Sequence, residues 1–287
     1  MRYRGKDFSD DDITKIRELI NANLGISRFK LSKLVCETFE WRSPNGKLKD
    51  MGCRVAMLQM ERDHLLTLPP LQIRPNQFKT EVRRNCIPPK PSSILTEKTH
   101  PLDSLKIEIV TGQPSSAIWN EYIDRYHYLG FKPLAGAQIR YFVKSQDEIL
   151  ALLGFDAASW KVSDRDKLIG WSPKEREAKL HLIVNNCRLL VLPWVHYKNL
   201  ISYCFSKIYK RLPDDWEKVY NYRPVLLETF IEDQRFTGSA YKASNWQSIG
   251  KTKGRGKWDR NRSKSIPIKS VWIYPLAKKY RKYLSST

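Results

Sequence analysis

The chain is short of cysteine, of acidic residues and of long apolar runs. Its 287 residues include five cysteines, with no Cys-x-x-Cys pair and no histidine at zinc-finger spacing. This pattern argues against a disulfide framework and predicts buried thiols in a reducing compartment. No apolar run approaches the roughly 18 residues of a membrane helix, and the start, MRYRGKDFSDDD, lacks the apolar region of a secretory signal. We therefore expect a soluble, cytoplasmic protein without a membrane partner.

The shortage of acidic residues leaves a strong positive charge. Lysine and arginine number 51 against 30 aspartate and glutamate residues, a formal charge of +21 with an isoelectric point near 9.8. Such a charge attracts polyanions, of which nucleic acid is the commonest. The alternative is a solvated basic surface that only aids solubility. With 41% hydrophobic residues the chain can bury a core, so disorder throughout is not expected.

Three amphipathic helices are predicted near the start of the chain. Ser9 is the predicted cap of a helix over about 10–23, Ser27 that of a second, and a third follows a turn. Their arrangement resembles a helix-turn-helix with a small wing over 65–70, whose third helix contacts DNA. The candidate contacts are Lys47, Lys49, Arg54 and Arg62. The alternative is a plain packing module.

A proline-rich segment separates these helices from the rest of the chain. Residues 74–103 contain five prolines and no sustained periodicity, which predicts a linker or an arm wrapped on the next domain. The predicted domains are a helical, winged-helix-like domain over 1–73, the linker over 74–103, and an α/β domain over 104–287 with a basic C-terminal loop.

The predicted element order of the last domain is typical of an α/β fold with one mixed sheet. Strands are predicted at 105–110, 137–144, 149–155, 189–195, 224–230 and 270–274, and helices at 115–125, 198–212 and 241–246. Residues 160–176 are predicted as a loop. This order resembles the GNAT N-acyltransferase fold. The predicted fold class is therefore α/β with a GNAT-like mixed sheet and an N-terminal helix-turn-helix-like domain.

The GNAT resemblance implies a coenzyme A site, which the local sequence disfavours. An acyltransferase of this fold holds the pyrophosphate on backbone N–H groups of a glycine-containing loop, where side chains would block the approach. The corresponding stretch here, 195–200, is VHYKNL and has no glycine. Acetyl-CoA is thus an unfavoured cofactor, N-acyl transfer is the weakest functional alternative, and a degenerate scaffold without catalysis is favoured over it.

Carboxylates follow two of the predicted strands. Glu228 and Asp233 lie near the end of 224–230, and Asp156 follows 149–155. Carboxylates at strand ends can bind a divalent metal or act as general acid and base. They are the candidate catalytic residues of an enzyme that processes nucleic acid or modifies a nucleotide. The alternative is that they form salt bridges with the abundant lysines and arginines.

Two further polar groups invite a structural and a functional interpretation. Arg165 and Asp166 are predicted to form a local buried ion pair that shapes a loop. His127, between two tyrosines, could carry a proton, stack on a base, or do neither.

A polar-aromatic stretch and the basic segment after it suit nucleic acid. Tyr241, Asn245 and Trp246 offer two flat faces and an amide beside Lys242, which suits stacking on a nucleobase. The alternative is packing on the sheet.

Residues 251–264, here called the basic segment, hold seven lysines or arginines and one aspartate, with two glycines that let N–H groups approach phosphates. The candidate contacts are Lys251, Lys253, Arg255, Lys257, Arg260 and Arg262.

Several segments resemble the DruA family, the A proteins of the Druantia anti-phage system and their transposase-associated relatives. They are HYLG at 127–130, FDAASWKVSDRDKLIGW at 155–171, NNCRLLVLPWV at 185–195, LETF at 227–230, GSAYKASNW at 238–246 and GKTKGRG at 250–256. The resemblance implies a role in bacterial defence alongside other Druantia proteins, including a helicase-like partner, and implies no particular reaction. With the charge, it favours a nucleic-acid-binding defence protein whose partner is DNA.

Overall fold

The chain divides into two compact units, Met1–Lys79 and Thr80–Thr287. The structure is a computed structural model that describes residues 1–72, 82–134, 136–254 and 267–285. Each unit encloses its own cluster of buried apolar side chains, one in the first unit and two in the second. The predicted domain boundary at 73 lies outside the described residues.

Three helices and a short hairpin make up the described part of the first unit. The elements are β1 (Arg2–Tyr3), β2 (Lys6–Asp7), α1 (Asp10–Ala22), α2 (Arg28–Thr38) and α3 (Asp50–Arg62). Both predicted caps form: Ser9 Oγ accepts from the Asp12 N–H at 3.1 Å, and Ser27 Oγ accepts from the Lys30 N–H at 3.2 Å. Each cap satisfies an N–H group that has no partner inside its helix. The local sequence therefore sets where these helices begin.

The connection between α2 and α3 is longer than the three- or four-residue turn of a helix-turn-helix motif. Residues 39–49 fold back on themselves, with an antiparallel bridge between Arg42 and Leu48 and a 2.8 Å hydrogen bond from the Ser43 N–H to the Lys47 carbonyl. The stretch predicted as a wing, 65–70, contains no strand. The three helices are confirmed, and the winged helix-turn-helix interpretation stays a prediction.

The second unit is a mixed α/β structure, which confirms the predicted fold class. Its elements are β3 (Leu95–Thr96), β4 (Lys106–Ile109), α4 (Gly112–Tyr126), β5 (Gln138–Ser145), β6 (Glu148–Ala157), α5 (Ser163–Ile169), α6 (Pro173–Lys179), β7 (Ile183–Val191), β8 (Val195–His196), α7 (Leu200–Tyr220), β9 (Leu226–Glu232), α8 (Ser239–Ala243), β10 (Gln247–Lys251), β11 (Lys269–Pro275) and α9 (Tyr280–Leu284).

The central sheet of the described residues has seven strands in the order β10-β11-β9-β7-β6-β5-β4. All neighbouring pairs are antiparallel except β7 and β9, which the chain connects through α7. The parallel strands pair at three positions only, from Ile183 with Leu226 to Asn185 with Glu228. The described residues of β7 and β9 beyond these positions make no further pairs with each other. The sheet is therefore open between the end of β7 and the end of β9.

Different layers cover the two faces of the sheet. Leu227 belongs to the core formed with α4 and α7, whereas its neighbour Leu226 packs with side chains of α5 and α9. Successive side chains of a strand point to opposite faces, so Glu228 shares the face of Leu226 and lies towards α5.

Several segments differ from the predicted elements. β7 begins at Ile183, six residues before the predicted strand, and α7 continues beyond 212 to Tyr220 with Pro213 inside it. Proline lacks an N–H and weakens a helix, but Leu212 and Trp216 are fully buried on either side of it and stabilise the continuation. The predicted loop 160–176 contains α5 and the start of α6, and β10 is a strand that the sequence did not predict.

The described part of the proline-rich segment packs against the second unit. β3 pairs in parallel with β8, and the Cys86 N–H donates to Glu121 Oε2 at 2.6 Å. All five cysteines are described and none forms a disulfide. Among the described helices, none has both the length and the apolar composition needed to cross a bilayer.

Candidate functional site

Asp156 and Glu228 lie in one row across three strands. Asp156 on β6 pairs with Asn185 on β7, which pairs in turn with Glu228 on β9. Paired residues point to the same face of a sheet. Two strand spacings, about 10 Å, separate the outer backbones. The two carboxylates therefore share a row, with the Asn185 amide between them.

Glu228 is fully buried, and both of its carboxylate oxygens accept hydrogen bonds. Oε1 accepts from the Ser159 N–H at 2.7 Å, and Oε2 accepts from Arg165 Nη1 at 2.7 Å. Burial raises the pKa of Glu228, and the Arg165 guanidinium and the Ser159 N–H oppose that rise. The carboxylate has no exposed face for a substrate or a metal ion. This arrangement is the one that the salt-bridge alternative predicted for Glu228.

Arg165 is completely buried and is held by two carboxylates. Nε and Nη2 donate to Asp166 Oδ1 at 3.0 and 2.7 Å, and Nη1 also donates to the Ser159 carbonyl at 2.9 Å. The predicted Arg165–Asp166 ion pair is confirmed. Together with Glu228 it fixes α5 to β9, so we call Arg165, Asp166 and Glu228 the ion-pair cluster.

Asp233 is exposed and takes part in a surface pair. Its Oδ2 lies 3.1 Å from Lys251 Nζ. A hydrogen bond from Ser270, together with Lys251, lowers the pKa of Asp233. The three candidate catalytic carboxylates thus occupy three different environments. Within the described ranges, no group of three or more histidine, cysteine or acidic side chains is placed to hold a metal ion.

A cavity of about 500 Å³ lies where β7 and β9 separate. Both strands line it, with residues 127–129 after α4 and residues 236–241 around α8. Its charged and reactive side chains are those of His127, Asp156, Cys187, Arg188 and Lys269. The opening of the sheet therefore creates a concave, partly polar site.

Arg188 is the buried cation of this cavity. The residue is 9% exposed, and its Nη1 donates to the Cys187 carbonyl at 2.8 Å. Its Nε is buried without a hydrogen-bond partner, and it forms no ion pair with a carboxylate of the described residues. Buried arginines are normally paired, because an isolated charge is costly to remove from water. Arg188 is thus under-satisfied by the residues that the structure describes.

Two titrating groups beside Arg188 depart from their ordinary behaviour. Burial raises the pKa of Asp156 to about 6, although Asn185 Nδ2 donates to its Oδ1 at 2.9 Å. Burial, assisted by the Arg188 charge, lowers the pKa of His127 to about 4. The Leu129 N–H donates to His127 Nδ1 at 3.2 Å, so the neutral ring carries its proton on Nε2.

The aromatic residues near α8 are packed into the unit. Trp246 is 4% exposed and its Nε1 donates to Tyr209 Oη at 2.6 Å. Tyr241 Oη donates to Asn186 Oδ1 at 2.7 Å and its ring lines the cavity. Trp246 therefore has no free face for a nucleobase, which corrects the stacking prediction for that residue. Lys242 and Asn245 remain exposed beside it.

The candidate basic contacts of the first unit differ in exposure. Lys47 and Arg62 are exposed, and Lys49 is half-buried. Arg54 Nη2 lies 3.3 Å from Asp50 Oδ2. Two of the four are thus fully on the surface.

In the basic segment, Lys251 and Lys253 are exposed at the end of β10 and just beyond it. The other four candidates, Arg255, Lys257, Arg260 and Arg262, lie outside the described residues.

Sequence reasoning missed Arg188 because it placed the strand start at 189. The signal was present in Asn185-Asn186-Cys187-Arg188, four polar or reactive residues that directly precede an apolar strand run. Such residues within a buried strand are costly unless they line a site.

Comparison with known proteins finds a match to one family and matches to solved structures of low sequence identity. The family described as Druantia protein DruA matches residues 59–284. No curated protein matches the sequence.

Several matching solved structures are acetyltransferases. The spermidine/spermine N-acetyltransferase SpeG from Vibrio cholerae, crystallised with manganese ions, shares 8% identity, covers 63% of this chain and 98% of its own, and has a TM-score of 0.39. The ribosomal-protein-S18-alanine N-acetyltransferase from Escherichia coli shares 10% identity, with 60% and 95% covered and a TM-score of 0.35. A probable acetyltransferase from Staphylococcus epidermidis shares 10%, with 60% and 99% covered and a TM-score of 0.39. Similarity this low carries no conclusion about ligand or reaction.

Proposed function

The chain belongs to the DruA family, and from that premise we propose that it is a nucleic-acid-binding component of a Druantia-type anti-phage defence system. Family membership implies the defence role. The proposal adds the ligand, with DNA favoured, and joint action with other Druantia proteins, among them a helicase-like protein.

The excess of positive charge carries this proposal. The chain has a formal charge of +21. Near the start of the basic segment, the available carboxylates already have partners: Asp164 Oδ2 accepts from the Lys251 N–H, and Asp233 Oδ2 pairs with Lys251 Nζ, both at 3.1 Å. Both contacts involve Lys251, and among the described residues neither acid pairs with Lys253. Phosphates would supply the missing negative charge, and their binding releases counterions.

An exposed aromatic ring beside two cations supports the same ligand in the first unit. Phe29 is 47% exposed, with Lys33 Nζ 4.5 Å and the Arg54 guanidinium 5.4 Å from its ring centroid. Aromatic faces next to basic side chains stack on bases and contact phosphates. This surface lies on α2 and α3, and α3 is the third helix, which the sequence predicted to contact DNA.

The proposal is tested by a binding panel of double-stranded, single-stranded and structured DNA and RNA at two salt concentrations. The key variant replaces Lys253, Arg255, Lys257 and Arg260 with glutamine. We expect it to weaken binding by about tenfold or more, because several phosphate contacts are lost together.

A matched control removes four lysines that are exposed and lie elsewhere in the described chain. They are Lys15, Lys106, Lys132 and Lys174. This control variant lowers the net charge by the same amount as the variant of the basic segment. Equal losses in both variants would show that only total charge attracts nucleic acid, and no binding by the unaltered chain would refute the proposal.

A further inference from the structure

We propose that the cavity between β7 and β9 binds a nucleotide, with its phosphate on Arg188 and its base against the aromatic side chains at the mouth. The ligand is either a free mononucleotide or the terminal nucleotide of a strand. The proposal goes beyond nucleic-acid binding by the basic segment, because none of its observations involves that segment.

The Arg188 guanidinium supplies the anion-binding group. Its Nη1 bonds a backbone carbonyl, its Nε has no partner, and no hydrogen bond of Nη2 joins it to a described residue. A guanidinium presents parallel N–H donors that match a phosphate in bidentate geometry. An anion in the cavity would therefore satisfy donors that the described chain leaves unpaired.

Asp156, the carboxylate in the described lining of the cavity, does not take that role. Asp156 accepts from Asn185 Nδ2 at 2.9 Å and makes no ion pair with Arg188. Asn185 Oδ1 is itself buried without a partner. The cavity thus holds an unpaired donor and an unpaired acceptor, which fits a ligand that is anionic and also carries hydrogen-bond donors, as bases do.

Aromatic side chains at the mouth supply the surface for a base. Tyr128 and Phe236 line the cavity and are 39% and 46% exposed. Their ring centroids are 5.0 Å apart, and the Arg235 guanidinium lies 5.6 Å from the Tyr128 ring. Partly exposed rings stack on bases of any sequence. Here, unlike at Trp246, the rings have accessible surface.

The part of the cavity wall around Asn186 is held in place by hydrogen bonds. Asn186 Nδ2 donates to the Gly154 and Arg188 carbonyls at 3.0 and 3.2 Å, and Thr229 Oγ1 donates to the Asn186 carbonyl at 2.9 Å. With a volume of about 500 Å³, the cavity falls within the roughly 300–1,000 Å³ of small-molecule sites. A rigid site of this size lowers the entropic cost of ligand binding.

The test is calorimetric titration of the full chain with the four nucleoside 5′-monophosphates, a nucleoside without phosphate, inorganic phosphate, and a short single strand with a 5′-phosphate. We expect at least one monophosphate or the strand to bind, with Arg188→Gln weakening it about 10- to 100-fold. The control Lys15→Gln, which removes an exposed charge of the first unit, leaves monophosphate binding unchanged. Arg188-dependent binding of the strand alone identifies its terminal nucleotide as the source.

Several results would overturn the proposal: equal affinity of Arg188→Gln and the unaltered chain for every probe, no binding of any probe, or inorganic phosphate binding as tightly as the nucleotides. If Arg188→Gln does not fold, two measurements replace it. The first is the affinity of Arg188→Lys for each probe, and the second is the change in the NMR shift of the Arg188 Nε–H when a probe is added to the unaltered chain. The variant of the basic segment distinguishes this site from the proposed function. If it loses strand binding but still binds a monophosphate, the cavity binds nucleotides independently of the basic segment.

Discussion

Arg165 and Arg188 are both buried arginines of the second unit, yet their surroundings are opposite. Arg165 is 0% exposed and its guanidinium donates to Asp166, Glu228 and a carbonyl. Arg188 is 9% exposed, bonds one carbonyl and forms no ion pair with any described carboxylate. Arg165 thus stabilises the fold through its ion pairs, whereas Arg188 keeps N–H donors that a ligand can use.

The surroundings of the two arginines differ because β7 and β9 are paired near Arg165 and separated near Arg188. Arg165 comes from α5, which covers a closed part of the sheet where β9 still pairs with β7 through Glu228. Arg188 lies on β7 after that pairing ends, where the two strands line a cavity. A closed sheet demands that buried charges be neutralised internally. An opened sheet leaves a cation beside a space that a ligand can fill.

The largest expected effect comes from breaking the ion-pair cluster. Glu228→Ala leaves Arg165 buried with one carboxylate lost, and we expect a stability loss of about 3–5 kcal/mol in urea unfolding. The control Glu217→Ala removes a carboxylate that is 52% exposed and pairs with Arg223, and should cost about 1 kcal/mol or less. Similar losses in both variants would contradict a structural role for Glu228.

An intermediate effect is expected at Asp156, and it depends on pH. The folded pKa of about 6 lies above the ordinary value of 3.8, so the protonated form is favoured in the fold. The resulting stability is complete below about pH 4 and is lost as the pH rises through 6. Asp156→Asn, which mimics the protonated acid, should therefore stabilise the chain at pH 7.5, by roughly 1–3 kcal/mol, and not at pH 4.

The comparison variant for this experiment is Asp147→Asn, which changes an exposed carboxylate in the β5–β6 turn. Thermal unfolding at both pH values measures the difference. A gain for Asp156→Asn that is the same at pH 4 and pH 7.5 would show that burial of the charge is not its cause.

The smallest expected effect is the most informative about Arg188. Arg188→Met removes a buried charge that has no carboxylate partner among the described residues. The free energy of unfolding should therefore change by about 1 kcal/mol or less, or rise. Arg165→Met, in contrast, leaves the buried Glu228 without its cation and Asp166 with Arg176 alone, and should cost several times more. Urea unfolding of the two variants side by side decides this, and equal losses would remove the distinction between the arginines.

Local signals in the sequence predicted most elements of the fold. Ser9 and Ser27 marked two helix starts, and the β5–β6 hairpin followed from its turn residues. Signals that depend on tertiary packing were missed. Pro213 indicated a helix end, but burial of Trp216 overrides it, and the polar start of β7 is tolerated only because a cavity lies beside it.

The candidate site was predictable only in part, because its residues also depend on tertiary packing. Carboxylates near strand ends identified Glu228, but its role depends on Arg165, 63 residues away in the chain. Arg188 gained its role only from the separation of β7 and β9, a property of sheet register that a single sequence does not display.

The most direct measurement of the central claim, that unneutralised cations of this chain bind nucleic acid, is the affinity of the unaltered chain for DNA across a salt series. The account predicts a steep linear fall of log K with log salt, reaching about a thousandfold between 50 and 200 mM if six or more phosphates are contacted. An affinity that stays constant over that range would contradict it.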